Sequence, residues 1–258
     1  MLKLTLVLCA TLISPALAQC TYSKLQQFTS EYISAQASGE FVTTASSASY
    51  TENFRPVNIS TGLISQPLKV DYSKSLHDTT TCSTFTEYVV TDPSHPYVIG
   101  TQIKYTPDGS QITNIDSIVT DSDDWLFNAT GTFYYASRED WFVIPEEQRD
   151  TRETIKAAAD AYLDLFDDPS VIVPWGTPCA RLEGGLYSGQ GLPNDTCNVG
   201  VPTGVPIVNR RYVFDETVGS VDVFVDFGVN KIPDSHEFRV EGGKLRFVHT
   251  MSVTGPRD

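Results

Sequence analysis

The chain has only four histidines, and alternation aims two of them inward. In the segment from Leu245 to Val253, the side chains of Leu245, Phe247, His249 and Met251 share one face of a strand. His236 shares a face with Phe238 and Val240 in the segment before it. A histidine among apolar neighbours is most often a satisfied core residue, but one with a free ring nitrogen can move a proton near neutral pH. Tyr162 lies on a candidate helix and Trp175 just beyond it, while Arg181 and Arg211 belong to later segments. A tyrosine hydroxyl or an imidazolium can hydrogen-bond a developing enolate oxygen, while Asp116 or a neutral histidine removes the adjacent proton. Arg181 and Arg211 could clamp carboxylate or anhydride oxygens bidentately. The plainer reading is that arginines in so acidic a chain neutralise local carboxylates. Proton abstraction beside a carbonyl, followed by isomerisation or carbon–carbon bond formation, needs no metal or nucleotide. The sequence holds no Gly-x-Ser-x-Gly elbow, Walker loop, dinucleotide fingerprint or His-Glu-x-x-His. No cofactor and no metal are expected. The acidic run Asp121-Ser122-Asp123-Asp124 lacks the glycine and terminal glutamate of a calcium loop and reads as a turn.

Two helices and a set of strands must position these groups. Three- and four-residue spacing of Leu25, Phe28, Tyr32 and Ile33 predicts a helix from about 21 to 37, stopped by Gly39. A second helix is predicted over 149–166, with Ile155, Ala158, Ala159, Tyr162, Leu163 and Phe166 on one stripe, ended by Asp167-Asp168-Pro169. Strands are predicted at 84–90, 102–105, 112–119, 211–214, 221–227, 236–240 and 245–253, with hairpin turns at Pro107-Asp108-Gly109 and Gly242-Gly243. Asp222 and Asp226 alternate with valines and are expected to face solvent. The order of helix, loop, strands and hairpin occurs twice. Tyr32 aligns with Tyr162 at an offset of 130, and Asp116 with His249 at an offset of 133. The expected fold class is α+β, built as two tandem halves, each a helix across a curved antiparallel sheet, over 19–141 and 142–258. The two sheets are expected to share a core.

The first eighteen residues read as a secretory signal: Lys3, an apolar run from Leu4 to Ile13, and small residues at Ala16 and Ala18. Cys9 would leave with it, and Cys20, Cys82, Cys179 and Cys197 remain. Four cysteines allow three pairings; Cys20–Cys82 with Cys179–Cys197 is favoured because the latter pair brackets one Gly/Pro-rich loop. Sequons at Asn58, Asn128 and Asn194 suit a glycosylated secretory protein. Without Lys3, 17 basic face 32 acidic residues, a net charge of −15. That charge repels phosphate backbones and anionic membranes, so no nucleic-acid partner is expected. No mature membrane span is expected either, and a small molecule is the expected partner.

The second half has further phrases. They are Arg152-Glu153-Thr154-Ile155-Lys156-Ala157-Ala158-Ala159-Asp160-Ala161-Tyr162, then Pro174-Trp175-Gly176-Thr177-Pro178-Cys179, and finally Asp234-Ser235-His236-Glu237-Phe238-Arg239-Val240-Glu241-Gly242-Gly243-Lys244-Leu245 and Arg246-Phe247-Val248-His249-Thr250. With its helix-then-sheet order, the chain resembles the ketosteroid-isomerase-like (nuclear-transport-factor-2-like) cone fold. The phrases look like a family of secreted fungal proteins, some of which act as isomerase-like cyclases in maleidride biosynthesis. The resemblance implies a pocket between helix and concave sheet. It also implies a cofactor-free isomerase or cyclase of secondary metabolism, coupling maleic-anhydride-type units. The alternative expectations are a secreted ligand-binding or host-interaction protein with an inert pocket, and a structural wall protein.

Overall fold

The computed structural model describes residues 20–41 and 47–254. The signal-peptide expectation for 1–18 lies outside them. Helix α1 (Tyr22–Ser38) precedes strands β1 (Ser49–Glu52), β2 (Arg55–Pro56), β3 (Tyr72–Asp78), β4 (Ser83–Val90), β5 (Tyr97–Tyr105) and β6 (Ile112–Thr120). After a short helix, α2 (Ala129–Ala136), come α3 (Arg152–Asp164), β7 (Trp175–Glu183), β8 (Leu186–Tyr187), β9 (Ile207–Asp215), β10 (Ser220–Phe227), β11 (Ile232–Glu241) and β12 (Lys244–Ser252). The sheets run β2-β1-β6-β5-β4-β3 and β8-β7-β12-β11-β10-β9. The second order is the first with every index raised by six, and each sheet has one parallel pair, β1–β6 or β7–β12. The protein is thus α+β with two tandem halves of the same topology.

Local chemistry fixes the helices. Thr21 accepts from the Lys24 amide at the start of α1, and Gly39 closes it at φ 71°, a left-handed conformation that favours glycine. Thr151 caps α3 the same way through the Thr154 amide. α1 lays Leu25 and Tyr32 on Tyr88, Ile99, Ile103 and Ile115 of the first sheet. α3 lays Ile155, Ala159, Tyr162 and Leu163 on Val223, Phe238 and Val248 of the second. The other faces of the two sheets meet in a third core, where Leu76, Phe85, Val98 and Ile118 pack against Val213, Phe224 and Met251.

The central strands are therefore buried on both sides, and β4 is buried at all eight positions. This corrects the expectation for Asp222. Its alternate face meets the other sheet, not water, and Asp222 is fully buried, accepting 2.6 Å hydrogen bonds from Gln102 Nε2 and Ser235 Oγ. Burial pushes its carboxyl well above the ordinary range. Asp226, at the strand end, is half-buried and accepts from Asn209 Nδ2 at 2.6 Å. A register shift between Leu245 and Phe247 splits another expected face. Leu245 joins the α3 core, while Met251 lies between the sheets.

Disulfides join Cys20 to Cys82 and Cys179 to Cys197. The first ties the start of α1 to the β3–β4 turn, and the second ties β7 to the long loop before β9. The three sequon asparagines are all exposed. Asn128 also caps α2 by accepting from the Gly131 amide. No helix among the described residues is long and apolar enough to cross a membrane.

Candidate functional site

The strand register shows which residues of the two halves correspond. Thr101 pairs with Ser117 in the first half, and His236 with Thr250 in the second. Tyr32 and Tyr162 lie above them on α1 and α3. In the first half these positions form a closed chain: Tyr32 donates to Thr101 Oγ1 at 2.9 Å, and the Thr101 and Ser117 hydroxyls are 2.9 Å apart. In the second half Tyr162 Oη, His236 Nδ1 and Thr250 Oγ1 have no partner at hydrogen-bond distance, although Arg181 is near enough to Tyr162 to favour its charged form. Arg181, across from Val248, stands where the first half has Tyr50 across from Ile115. Arg181 bonds Glu183 and the Val199 carbonyl through its terminal nitrogens, leaving Nε without a partner. Asp234, on the same face as His236, has neither oxygen in a hydrogen bond, although Ser252 is near enough to favour its charged form.

None of these five residues is more than 8% exposed. Buried polar groups in folded proteins are nearly always hydrogen-bonded, so five residues with unpaired polar atoms in one place make this cluster the candidate site. The Tyr162 ring lies 5.7 Å from the His236 ring, 5.7 Å from Trp175 and 5.2 Å from Phe238. The Arg181 guanidinium is 5.7 Å from its centroid. Burial, then the charges of Arg181 and Arg210, lowers His236 to about 3. Burial raises Asp234 well above the carboxylate range and Tyr162 above its ordinary value. The 3.5 Å contact between His236 Nδ1 and Asp234 Oδ1 is therefore one between imidazole and carboxylic acid, not an ion pair. The loop after β8 covers the site. Val201 and Val205 pack on the α3 core, and the Val205 amide donates to the Phe166 carbonyl at 2.9 Å. Donors from Tyr162, Thr250, Arg181 and neutral Asp234 thus surround one neutral imidazole.

The other residues singled out in the sequence lie elsewhere. His249 faces the first half, with Nδ1 3.1 Å from Glu87 Oε2 and Nε2 2.6 Å from Glu139 Oε2. Burial would lower it, but Glu139 and Glu87 raise it to about 10, so both ring nitrogens are donors and neither can take a proton. Burial would raise Glu87, yet His249 and then Lys74 hold it at about 2. Lys74 Nζ sits 2.9 Å from Glu237, 3.4 Å from Glu87 and 3.2 Å from the Trp141 ring centroid. Glu87, Glu237 and His249 offer ligand atoms within 4.8 Å of one another, a spacing suited to a cation. The Lys74 ammonium lies among them.

Asp116 is the register equivalent of His249, since Gln102 pairs with Asp116 as Glu237 pairs with His249. It accepts from Thr51 at 2.6 Å and from Asn114. The Arg211 guanidinium lies 4.0 Å from the Phe54 ring and 6.0 Å from Phe224, toward the other half. The structure therefore joins Tyr162, His236, Trp175 and Arg181, and leaves His249, Asp116 and Arg211 on the opposite face of their sheets. Sequence reasoning missed Asp234 and Thr250. The alternation Asp234-x-His236 was the available signal for the first.

Residues 148–252 match a family model described as a domain of unknown function (DUF8021). That span runs from the turn before α3 through β12, so it contains the whole cluster of orphan groups and less than half of the chain. No curated protein matches.

Proposed function

We propose that the second half is a cofactor-free isomerase or cyclase acting on a small enolisable carbonyl compound. The observation that carries this reading is the group of orphan polar atoms on Tyr162, Arg181, Asp234, His236 and Thr250, where the first half has a closed chain. The carbonyl oxygen of a substrate would accept from Tyr162 and from protonated Asp234, so that charge developing on that oxygen meets donors already in place. His236 would take the proton from the adjacent carbon and return it after isomerisation or after attack of the enolate on a second carbonyl compound. Trp175, whose ring lies 5.7 Å from that of Tyr162, would flank the substrate, and Arg181 would hold a carboxylate or anhydride oxygen. The resemblance to fungal isomerase-like cyclases supports maleic-anhydride-type substrates. The two disulfides and the exposed sequons support work in a secretory lumen or outside the cell.

A second reading, a secreted protein with an inert ligand pocket, is favoured by one observation: a base near 3 takes protons poorly at neutral pH. Deuterium uptake separates the two. Purified protein in heavy water is incubated with alkylated maleic anhydrides, and exchange of the protons on the alkyl carbon attached to the ring, the position whose loss of a proton gives a dienolate, is followed by mass spectrometry. Catalysis predicts exchange that is lost in His236→Ala and reduced in Tyr162→Phe; binding without exchange establishes the inert pocket.

A further inference from the structure

We infer that the first half carries a ligand site of its own: a small apolar cavity between α1 and the β5–β6 hairpin that takes a single planar ring bearing a hydrogen-bond donor. The cavity has a volume of about 120 Å³ and is walled by Phe28, Tyr32, Phe41 and Tyr105 over Ile103 and Ile112. The cavity is half open, with Ser110 and Gln111 also lining it, and since a cavity of about 150 Å³ binds benzene, one ring fits this space.

The cavity arises where the two halves differ. The β5–β6 turn spans residues 106–111, whereas β11 and β12 are joined by Gly242-Gly243 alone. At the offset that relates Tyr32 to Tyr162, Phe28 stands where α3 has Ala158. The long turn is held over the helix, because Lys24 Nζ donates to the Asp108 carbonyl at 2.8 Å and lies 5.6 Å from the Phe28 ring. Phe28 stacks on Tyr105 at 4.6 Å, which leaves ring faces and edges to meet an aromatic guest. Glu31 lies on the rim and accepts one hydrogen bond through Oε1, from Gln27 at 2.8 Å. A carboxylate there favours a phenol-like donor and repels an anion. The site is on the α1 side of the first sheet, away from Tyr162 and His236, and stands whether or not the second half is catalytic.

Fluorine NMR titration of the full chain tests it with 4-fluorophenol, fluorobenzene and 4-fluorobenzoate. Saturable binding is expected in that order of affinity, with the benzoate at least about tenfold weaker than the phenol. Ile112→Trp, which fills the cavity, should weaken 4-fluorophenol at least about tenfold, and Tyr162→Phe should leave it unchanged. Ile103→Phe serves as the second filled variant if Ile112→Trp does not fold. The inference is overturned by no saturable binding to the native chain, by unchanged affinity in a folded filled variant, or by benzoate binding as well as phenol.

Discussion

Tyr162 keeps a fully buried hydroxyl with no partner at hydrogen-bond distance and Arg181 as its charged neighbour. Removing it should not weaken the fold. Tyr162→Phe should unfold within about 1 kcal/mol of the native chain, on either side, in denaturant titration. The same change should slow exchange of the enolisable proton on the order of a hundredfold if the hydroxyl serves a developing oxyanion. His249 should show the reverse pattern. His249→Ala removes the cation between Glu87 and Glu139, leaving Glu87 only Lys74 at 3.4 Å, and should cost about 3–5 kcal/mol. The pH dependence has a definite sign. His249 rises from 6.5 to about 10 on folding, so its contribution is complete below pH 6.5 and fades as pH climbs toward 10. Glu87 falls from 4.5 to about 2, so its contribution is complete above pH 4.5 and fades toward pH 2. The gap in melting temperature between the native chain and His249→Gln should therefore shrink between pH 6.5 and 10; a constant gap would show that the imidazolium is not the stabilising form. Individual residues were the least legible part of the sequence. Nothing local marks His249 as paired to Glu87 and Glu139, which lie 162 and 110 residues away.

The elements were far more legible, because their signals are local. The apolar stripe of α3 and its cap at Thr151 are both readable, and the helix begins at Arg152, three residues later than expected, where Thr151 accepts from the Thr154 amide. Thr151→Ala should cost about 1 kcal/mol by thermal denaturation. The hairpin strands were found, although β5 begins five residues and β9 and β11 four residues before the expected starts, while β1, β2, β3, β7 and β8 were not expected. α2 was missed: its eight residues have no apolar stripe to read, and its start depends on Asn128 acting as a cap. The β12 irregularity was missed because alternation assumes an unbroken pleat, and one slip there moves Leu245 to the opposite face from Met251. The disulfide between Cys179 and Cys197 anchors the loop over the candidate site. Replacing both cysteines by serine should cost about 2–4 kcal/mol. Amide exchange in residues 198–206 should quicken more than in α3.

Across the whole molecule, the duplication was visible as a repeated order of elements and a core shared by the two sheets was expected, as the structure has it, but which residues face that core was not legible. A sheet face that packs on another sheet carries the same alternation as one that faces water, which is why Asp222 was misplaced. A chain of residues 142–258 alone would expose Val213, Phe224 and Met251 together with Asp222 and Glu237. It should not form a folded monomer, which size exclusion and near-ultraviolet circular dichroism can establish.

The seam between the sheets also has a direction. Register equivalence places Lys74 opposite Arg211 in the repeat, Glu87 opposite Phe224, Gln102 opposite Glu237 and Asp116 opposite His249. At one pole Lys74 and Glu87 of the first half meet Glu237 and His249 of the second. At the other pole Arg211 lies against Phe54 and Phe224. Two identical halves would have to repeat one pole at both ends; two second halves, for example, would set Arg211 in the place of Lys74 and Phe224 in the place of Glu87, so that His249 would lose that carboxylate. Joining the copies in one chain has freed each to carry residues the other could not tolerate, so the seam works as a keyed joint that accepts only its own partner in cis.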